Sequence, residues 1–393
     1  MNQSHPANLA ARLALVGVVG WSATEPAAAA QHLVRAGDDW SKLSSKVQPG
    51  DEIILMPGKH RGATLDGLAG EAGKPIWIRP ADIRVPITIE ADDVGILLKS
   101  PRHVKIESVV VLNAKRAGVV IEGTDAAPAE DIVLRSVYVA KTGERGEKDA
   151  IRIDHANRVT VERCRIESWH RAGIHVHASR DISITASEWV GGANTPDRFC
   201  VAIDGGSSGV RVERCKFGIG IGIAVAVGIA DTEAVPAIEG TTRDATTPVP
   251  SLAENVTVEH CVSDRPQRFA AFGSCRTVVV RANTVLSPGA AWEVAATPKG
   301  RCPPTDVTII SNLITWEPGA MQQFSVAAAG AEPAGIAIES NLWWSLELPA
   351  AKSLLGGFVG AVKTPQILDR DPKLDNYATP QDEMAKAFGR GAP

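Results

Sequence analysis

The chain has 393 residues, with 41 Lys or Arg against 45 Asp or Glu and a net charge of -4, so no basic excess points to a nucleic-acid partner. Hydrophobic residues reach 44% while aromatics make up only 5%, which requires a large core built from stacked Val, Ile, Leu and Ala. Gly 36 and Pro 25 mark a folded chain with many turns and exclude a low-complexity one.

The first residues differ from the rest. Arg12 precedes the apolar run Leu13–Trp21, too short to span a bilayer, and Ala27–Ala30 supplies a small-residue cleavage region. This predicts a secretory signal peptide over 1–30, cut near Ala30, and hence a secreted or periplasmic protein in which disulfides are permitted. No later stretch has the eighteen or so uninterrupted apolar residues of a membrane span, so no membrane insertion is expected.

Residues 31–93 read as an N-terminal cap and first coils. Asp39-Trp40 opens a short capping helix over an open sheet edge, and the strand-like segments Pro49–Gly58 and Lys74–Arg79 follow. From 94 to 345 one pattern recurs: a short alternating strand ending in Ser, Cys or Asn, at Ser108, Ser136, Cys164, Ser187, Cys215, Cys261, Asn283, Asn312 and Asn341. The spacing is 22 to 29 residues, with one step of 46 that contains an insertion, roughly Gly228 to Ala253. A second strand lies upstream of each, as in Gly95–Lys99, Gly118–Glu122, Ala150–Asp154, Gly173–His177, Val201–Asp204 and Ile223–Val227. Such a period leaves no room for a crossover helix. It predicts an all-β chain, a right-handed parallel β-helix, whose inward residues form aliphatic ladders. Residues 346–393 read as an irregular C-terminal cap.

The Pro49–Leu55 start, the Lys74–Arg79 step and the coils that follow resemble the pectin-lyase-like β-helix proteins, including the alginate and chondroitin lyase group of polysaccharide lyases. That resemblance implies extracellular action on a polysaccharide, often an acidic one, in a groove along the first parallel sheet.

Aligned upstream strands give two outward columns. One reads Leu97, Val120, Arg152, His175, Ala202, Ala224; the other reads Lys99, Glu122, Asp154, His177, Asp204, Ala226. Strands about 4.8 Å apart would place the imidazole of His177 between Asp154 and Asp204, with Arg152 and His175 one pleat along. Arg152, His175 and His177 could then supply the charge neutralisation, base and acid of a β-elimination, the favoured reading. Alternatively Asp154 and Asp204 could act as the carboxylate pair of an inverting hydrolase. The charges could also be plain cross-strand pairing on a noncatalytic, carbohydrate-binding scaffold.

Lengthened turns at Thr142–Asp149 and Gly191–Phe199 flank the cluster, with His155, His170 and Arg171 near in sequence. Asp154, Asp204 and Glu122 could hold Ca2+, and His175 with His177 a transition metal. Cys164, Cys215 and Cys261 are expected to be corner-stacking residues, whereas Cys275 and Cys302, 27 residues apart, are candidates for a disulfide. Trp343-Trp344 could stack on sugars or cap the repeat. The expected partner is a polysaccharide, and the expected state a monomer.

Overall fold

The computed structural model describes residues 29–143, 149–191, 199–229, 251–297, 301–317, 323–345, 359–363, 371–376, 378–383 and 385–388. The expected signal peptide, the tips of both lengthened turns, most of the Gly228–Ala253 insertion and much of the tail lie outside the described residues.

Among the described residues the chain winds through three parallel sheets of 10, 13 and 11 strands. One coil shows the path: Ala172–His177 lies in the first sheet, Arg180–Thr185 in the second and Glu188–Val190 in the third, and Phe199–Asp204 returns to the first. This is the right-handed parallel β-helix that the repeat predicts. Inward side chains stack in register: Ile151, Ile174, Val201 and Val225 form one ladder, and Ile153, Val176, Ile203 and Val227 another. All are essentially inaccessible. Burial of each contributes about 1.5–3 kcal/mol, which is how a chain poor in aromatics fills its core.

The corner between the second and third sheets is a single left-handed residue repeated from coil to coil: Ser108, Ser136, Arg163, Ala186, Arg214, His260, Ala282, Ser311 and Ser340, at φ between 46° and 56°. None is glycine, so each costs about 1–2 kcal/mol of backbone strain. Coil-to-coil bonds such as Arg163 N–H to Thr185 O at 3.1 Å hold them there. The residue after each corner points inward, and here the repeat is corrected. Cys164, Ser187, Cys215, Cys261, Asn283, Asn312 and Asn341 share that position as expected, but Ser108 and Ser136 occupy the corner itself. Val109 and Val137 are the inward equivalents, both buried. Ser suits either position, so in the first two coils it stands at the corner, one residue before the inward site.

At the late coils the inward position becomes an asparagine ladder. Asn283 Nδ2 donates to Asn312 Oδ1 at 2.9 Å, and Asn312 Nδ2 donates to Asn341 Oδ1 at the same distance. Both ends of the repeat are closed by apolar caps. Trp40 opens a 3-10 helix, Trp40–Leu43, and is 1% exposed, with its indole N–H on Arg61 O. Trp343 lies in the core against Trp292 and Phe324, while Trp344 packs with Leu313, Leu342 and Phe388, so this pair caps the repeat. Among the described residues no helix is long and apolar enough to cross a membrane.

The expected Cys275–Cys302 disulfide is not formed; all six cysteines are free. The local period explains why. Arg276 pairs in register with Thr305, so the position beside Cys275 is Pro304, two residues past Cys302. Cys275 turns into the core, and burial pushes its thiol pKa up, while Cys302 meets Ser274 Oγ at 3.4 Å.

Candidate active site

Register in the first sheet confirms most of both outward columns. Val120 pairs with Leu97 and with Arg152, Arg152 with His175, and His175 with Ala202. Glu122, Asp154, His177 and Asp204 form the second column in the same way. The columns then depart from expectation by two residues: Ala202 pairs with Ala226, so Ala226 and not Ala224 continues the first column. Ala224 is buried in the core. A slip of two residues preserves alternation, so the Ile-Ala-Val-Ala-Val pattern fits both registers.

The side chains of these columns do not form the expected sandwich of His177 between Asp154 and Asp204. Asp154 turns away, accepting from Arg152 Nη2 at 2.9 Å and meeting His155 Nδ1 at 2.7 Å. The imidazole that bridges two carboxylates is His175. Its Nε2 lies 3.0 Å from Asp204 Oδ1 and its Nδ1 3.2 Å from Asp149 Oδ2. His177 instead makes one carboxylate contact, Nδ1 to Asp204 Oδ1 at 2.7 Å. His155, His175 and His177 gather as a trio, with ring centroids 6.2 and 5.7 Å from His177.

Two members of the cluster were not among the expected site residues. Asp149 begins the strand Asp149–Asp154, pairs in register with Ala117, and lies one coil before the strand Ala172–His177. Arg171, one residue before Ala172, reaches across the coils and holds Asp149 bidentately, through Nε at 2.9 Å and Nη2 at 2.6 Å. Asp149 is 0% exposed. The signal for both lies in position: each ends a turn that leads into a strand already carrying a histidine or carboxylate.

Electrostatics follow from this geometry. Burial alone would lower the His175 pKa, but hydrogen bonds to Asp149 and Asp204 outweigh it and push the value up to about 9. Nδ1 also stands 2.6 Å from Arg171 Nη2; in the charged ring its N–H turns to Asp149, and Arg171 keeps the same carboxylate. Burial would raise both carboxylates, yet His175 and His177 hold Asp204 well below the usual range, and His175 and Arg171 hold Asp149 down. With His175 charged, Arg152, Arg171 and His175 face Asp149, Asp154 and Asp204, and Asp125 stands 3.6 Å from His155 Nε2.

The cluster grades from inside to outside. Asp149 and His175 are buried, Asp204 is nearly so, and His177 is 35% exposed along its side chain. Gly205, at φ +67°, lies against the His177 ring, where an added Cβ would come within 2.5 Å of Cε1 and Nδ1. Glycine thus serves both the left-handed turn and the seating of the imidazole. Among the described residues nothing bonds His177 Nε2.

No family model matches the chain, and no curated protein matches its sequence. Solved structures do match its shape. The GH136 lacto-N-biosidase from Eubacterium ramulus superposes at TM-score 0.59 with 12% identity, over 86% of this chain and 67% of that one. The endo-xylogalacturonan hydrolase from Aspergillus tubingensis gives TM-score 0.55 with 12% identity, over 87% and 100%. XylC in complex with xylose gives 0.53 with 9% identity, over 88% and 87%.

These likenesses share its fold, the right-handed parallel β-helix. The chain spans 57% of the length of the PL6 family alginate lyase AlyGC, which it matches at 12% identity and TM-score 0.46. Within this β-helix the carboxylate-pair mechanism finds no support. An inverting hydrolase needs one carboxylic acid with a raised pKa, whereas Asp204 is depressed and Asp154 is tied to Arg152 and His155. The Ca2+ set is not assembled either: Glu122 is exposed beside Asp154, while Asp204 faces two imidazoles.

Proposed function

We propose that this protein is an exported carbohydrate-active enzyme that cleaves a uronate-containing polysaccharide by β-elimination on the first sheet. The observation that carries the reading is the Asp204–His177 dyad: Nδ1 is fixed on a carboxylate at 2.7 Å while Nε2 faces outward without a described partner. A dyad of this kind fixes the tautomer and leaves a basic nitrogen aimed at substrate.

In the proposed step His177 Nε2 takes the proton from C5 of the uronate. The C4–O bond breaks, a C4=C5 double bond forms, and the leaving oxygen acquires a proton from solvent or from the imidazolium just made. Arg152, positioned by Asp154, lies one pleat along, next to His175, where a sugar carboxylate can meet it. His175 acts through Asp204, whose charge it shares with His177. Fold likeness to an endo-xylogalacturonan hydrolase supports the substrate class.

The test is a panel of acidic and neutral polysaccharides, read by ultraviolet absorbance of unsaturated uronates and by reducing ends. Absorbance with equal reducing ends supports elimination; reducing ends alone assign hydrolysis. Binding without any product would make the protein a carbohydrate-binding scaffold and overturn the proposal.

A further inference from the structure

The donor atoms of His175, His177 and Asp204 all lie within 4.8 Å of one another. Two of the separations are shorter still, His175 Nε2 to Asp204 Oδ1 at 3.0 Å and His177 Nδ1 to the same oxygen at 2.7 Å. A tetrahedral metal with bonds of about 2.0–2.1 Å places its ligand atoms about 3.3 Å apart. Both imidazole–carboxylate separations are thus within a few tenths of an ångström of the metal-bound value, and the two ring nitrogens lie within 4.8 Å of each other.

We propose that His175, His177 and Asp204 bind one borderline divalent transition-metal ion of the zinc class. Four further features of the site fit such an ion. The donor set is two imidazoles and one carboxylate, which suits zinc-class ions and is poor for Ca2+, whose ligands are oxygens. His175 already carries the outer partner that metal-bound histidines have: Nδ1 lies on Asp149, which Arg171 clamps bidentately from the next coil. With both imidazoles neutral, the two aspartates against Arg171 leave the immediate surroundings with one net negative charge. The outer ligand, His177, is part-exposed and seated by Gly205, so an ion can enter from solvent and keep a coordination position open.

The inference holds whether or not the protein cleaves sugars. Metal and proton would compete for the same ring nitrogens, so a loaded site loses the His177–Asp204 hydrogen bond on which the proposed elimination depends. Zinc-class ions are therefore expected to suppress that activity, although this is not the test.

The test uses the intact protein after dialysis against a chelator. Titration with Zn2+ by calorimetry is expected to give one ion per chain, and Co2+ is expected to give the visible absorption of a four-coordinate site. His177→Ala, which removes an outward ligand and leaves the core untouched, should weaken Zn2+ binding at least 100-fold and abolish the Co2+ spectrum. Asp149→Asn should weaken it about 10- to 100-fold, the usual effect of losing the outer partner of a metal-bound histidine. His103→Ala, in the second sheet, is the control and should change nothing. Absence of Zn2+ binding, or binding unaltered by His177→Ala, overturns the inference. Zn2+ binding by a protein that makes no product from any polysaccharide sustains it and sinks only the enzymatic reading.

Discussion

Asp149→Asn is the perturbation that most directly tests the electrostatic core of the cluster. Asp149 is 0% exposed and faces two cations, Arg171 at 2.6 Å and His175 at 3.2 Å. Removing one partner of a buried ion pair costs about 3–5 kcal/mol, because the remaining charge stays buried without compensation. The cost here should depend on pH through His175. Its folded pKa of about 9 stands above the ordinary 6.5, so its contribution is fully present below 6.5 and is lost as pH rises through 9. That shift corresponds to about 3 kcal/mol. Wild-type protein in chelator should therefore lose stability between about pH 6 and pH 9.5, read as the urea midpoint by tryptophan fluorescence. The Asn variant should begin lower and lose less across the same window, because the neutral amide no longer favours the charged ring. A variant within about 1 kcal/mol of wild type at neutral pH, or a flat wild-type profile up to pH 9.5, would refute the reasoning.

Other consequences are equally measurable. His177→Ala should lower turnover on an identified polysaccharide by about 10²–10⁴ while shifting the urea midpoint little, since the ring lies outside the aliphatic ladders; full activity would remove His177 from the chemistry. Gly205→Ala combines a left-handed backbone with a contact at 2.5 Å, so it should cost about 1–2 kcal/mol and displace the His177 ring, seen as a shifted imidazole resonance. Asn312→Ala deletes the middle of the asparagine ladder and strands Asn283 N–H and Val280 O, with about 1–3 kcal/mol for each buried group left unpaired. A loss under 1 kcal/mol in thermal or urea unfolding would show the ladder to be slack. A thiol reagent should titrate one cysteine in native protein, Cys302, and all six in denaturant; no native reaction would revive the Cys275–Cys302 disulfide.

What the sequence disclosed follows from where periodicity reaches. The outward columns through Arg152, His175, Asp154, His177 and Asp204 were legible because a strand alternates and the coils repeat. Asp149 and Arg171 were not, because they stand where the turn joins the strand, outside any alternating pattern. The bridging role fell to His175 instead of His177 for a local reason. Asp154 has Arg152 two residues away on its own strand and His155 next to it, and both hold it more closely than a ring on the next coil could. Register alone cannot express that competition.

The cluster is also the place where this fold can accept the cost of buried charge. In a solenoid each coil touches only its neighbours, so the ladders of Ile151, Ile174 and Val201 on one side of the sheet are set independently of the groups on the other. Three consecutive strands, Asp149–Asp154, Ala172–His177 and Phe199–Asp204, supply the charged groups, with Arg171 added from just before the second. Their order runs from the fully buried Asp149, clamped by the part-exposed Arg171, through His175 and Asp204, to His177 at the surface. Asp204 Oδ1 is shared by both imidazoles, so a proton gained or lost at His177 changes the charge felt by His175, and through it by Asp149. An isolated surface ion pair would be screened by water and salt before such a change travelled one coil. Buried Asp149 and His175 keep the outer histidine oriented and electrically coupled through Asp204, which gives the residues that sequence periodicity missed a part in the chemistry of those it found.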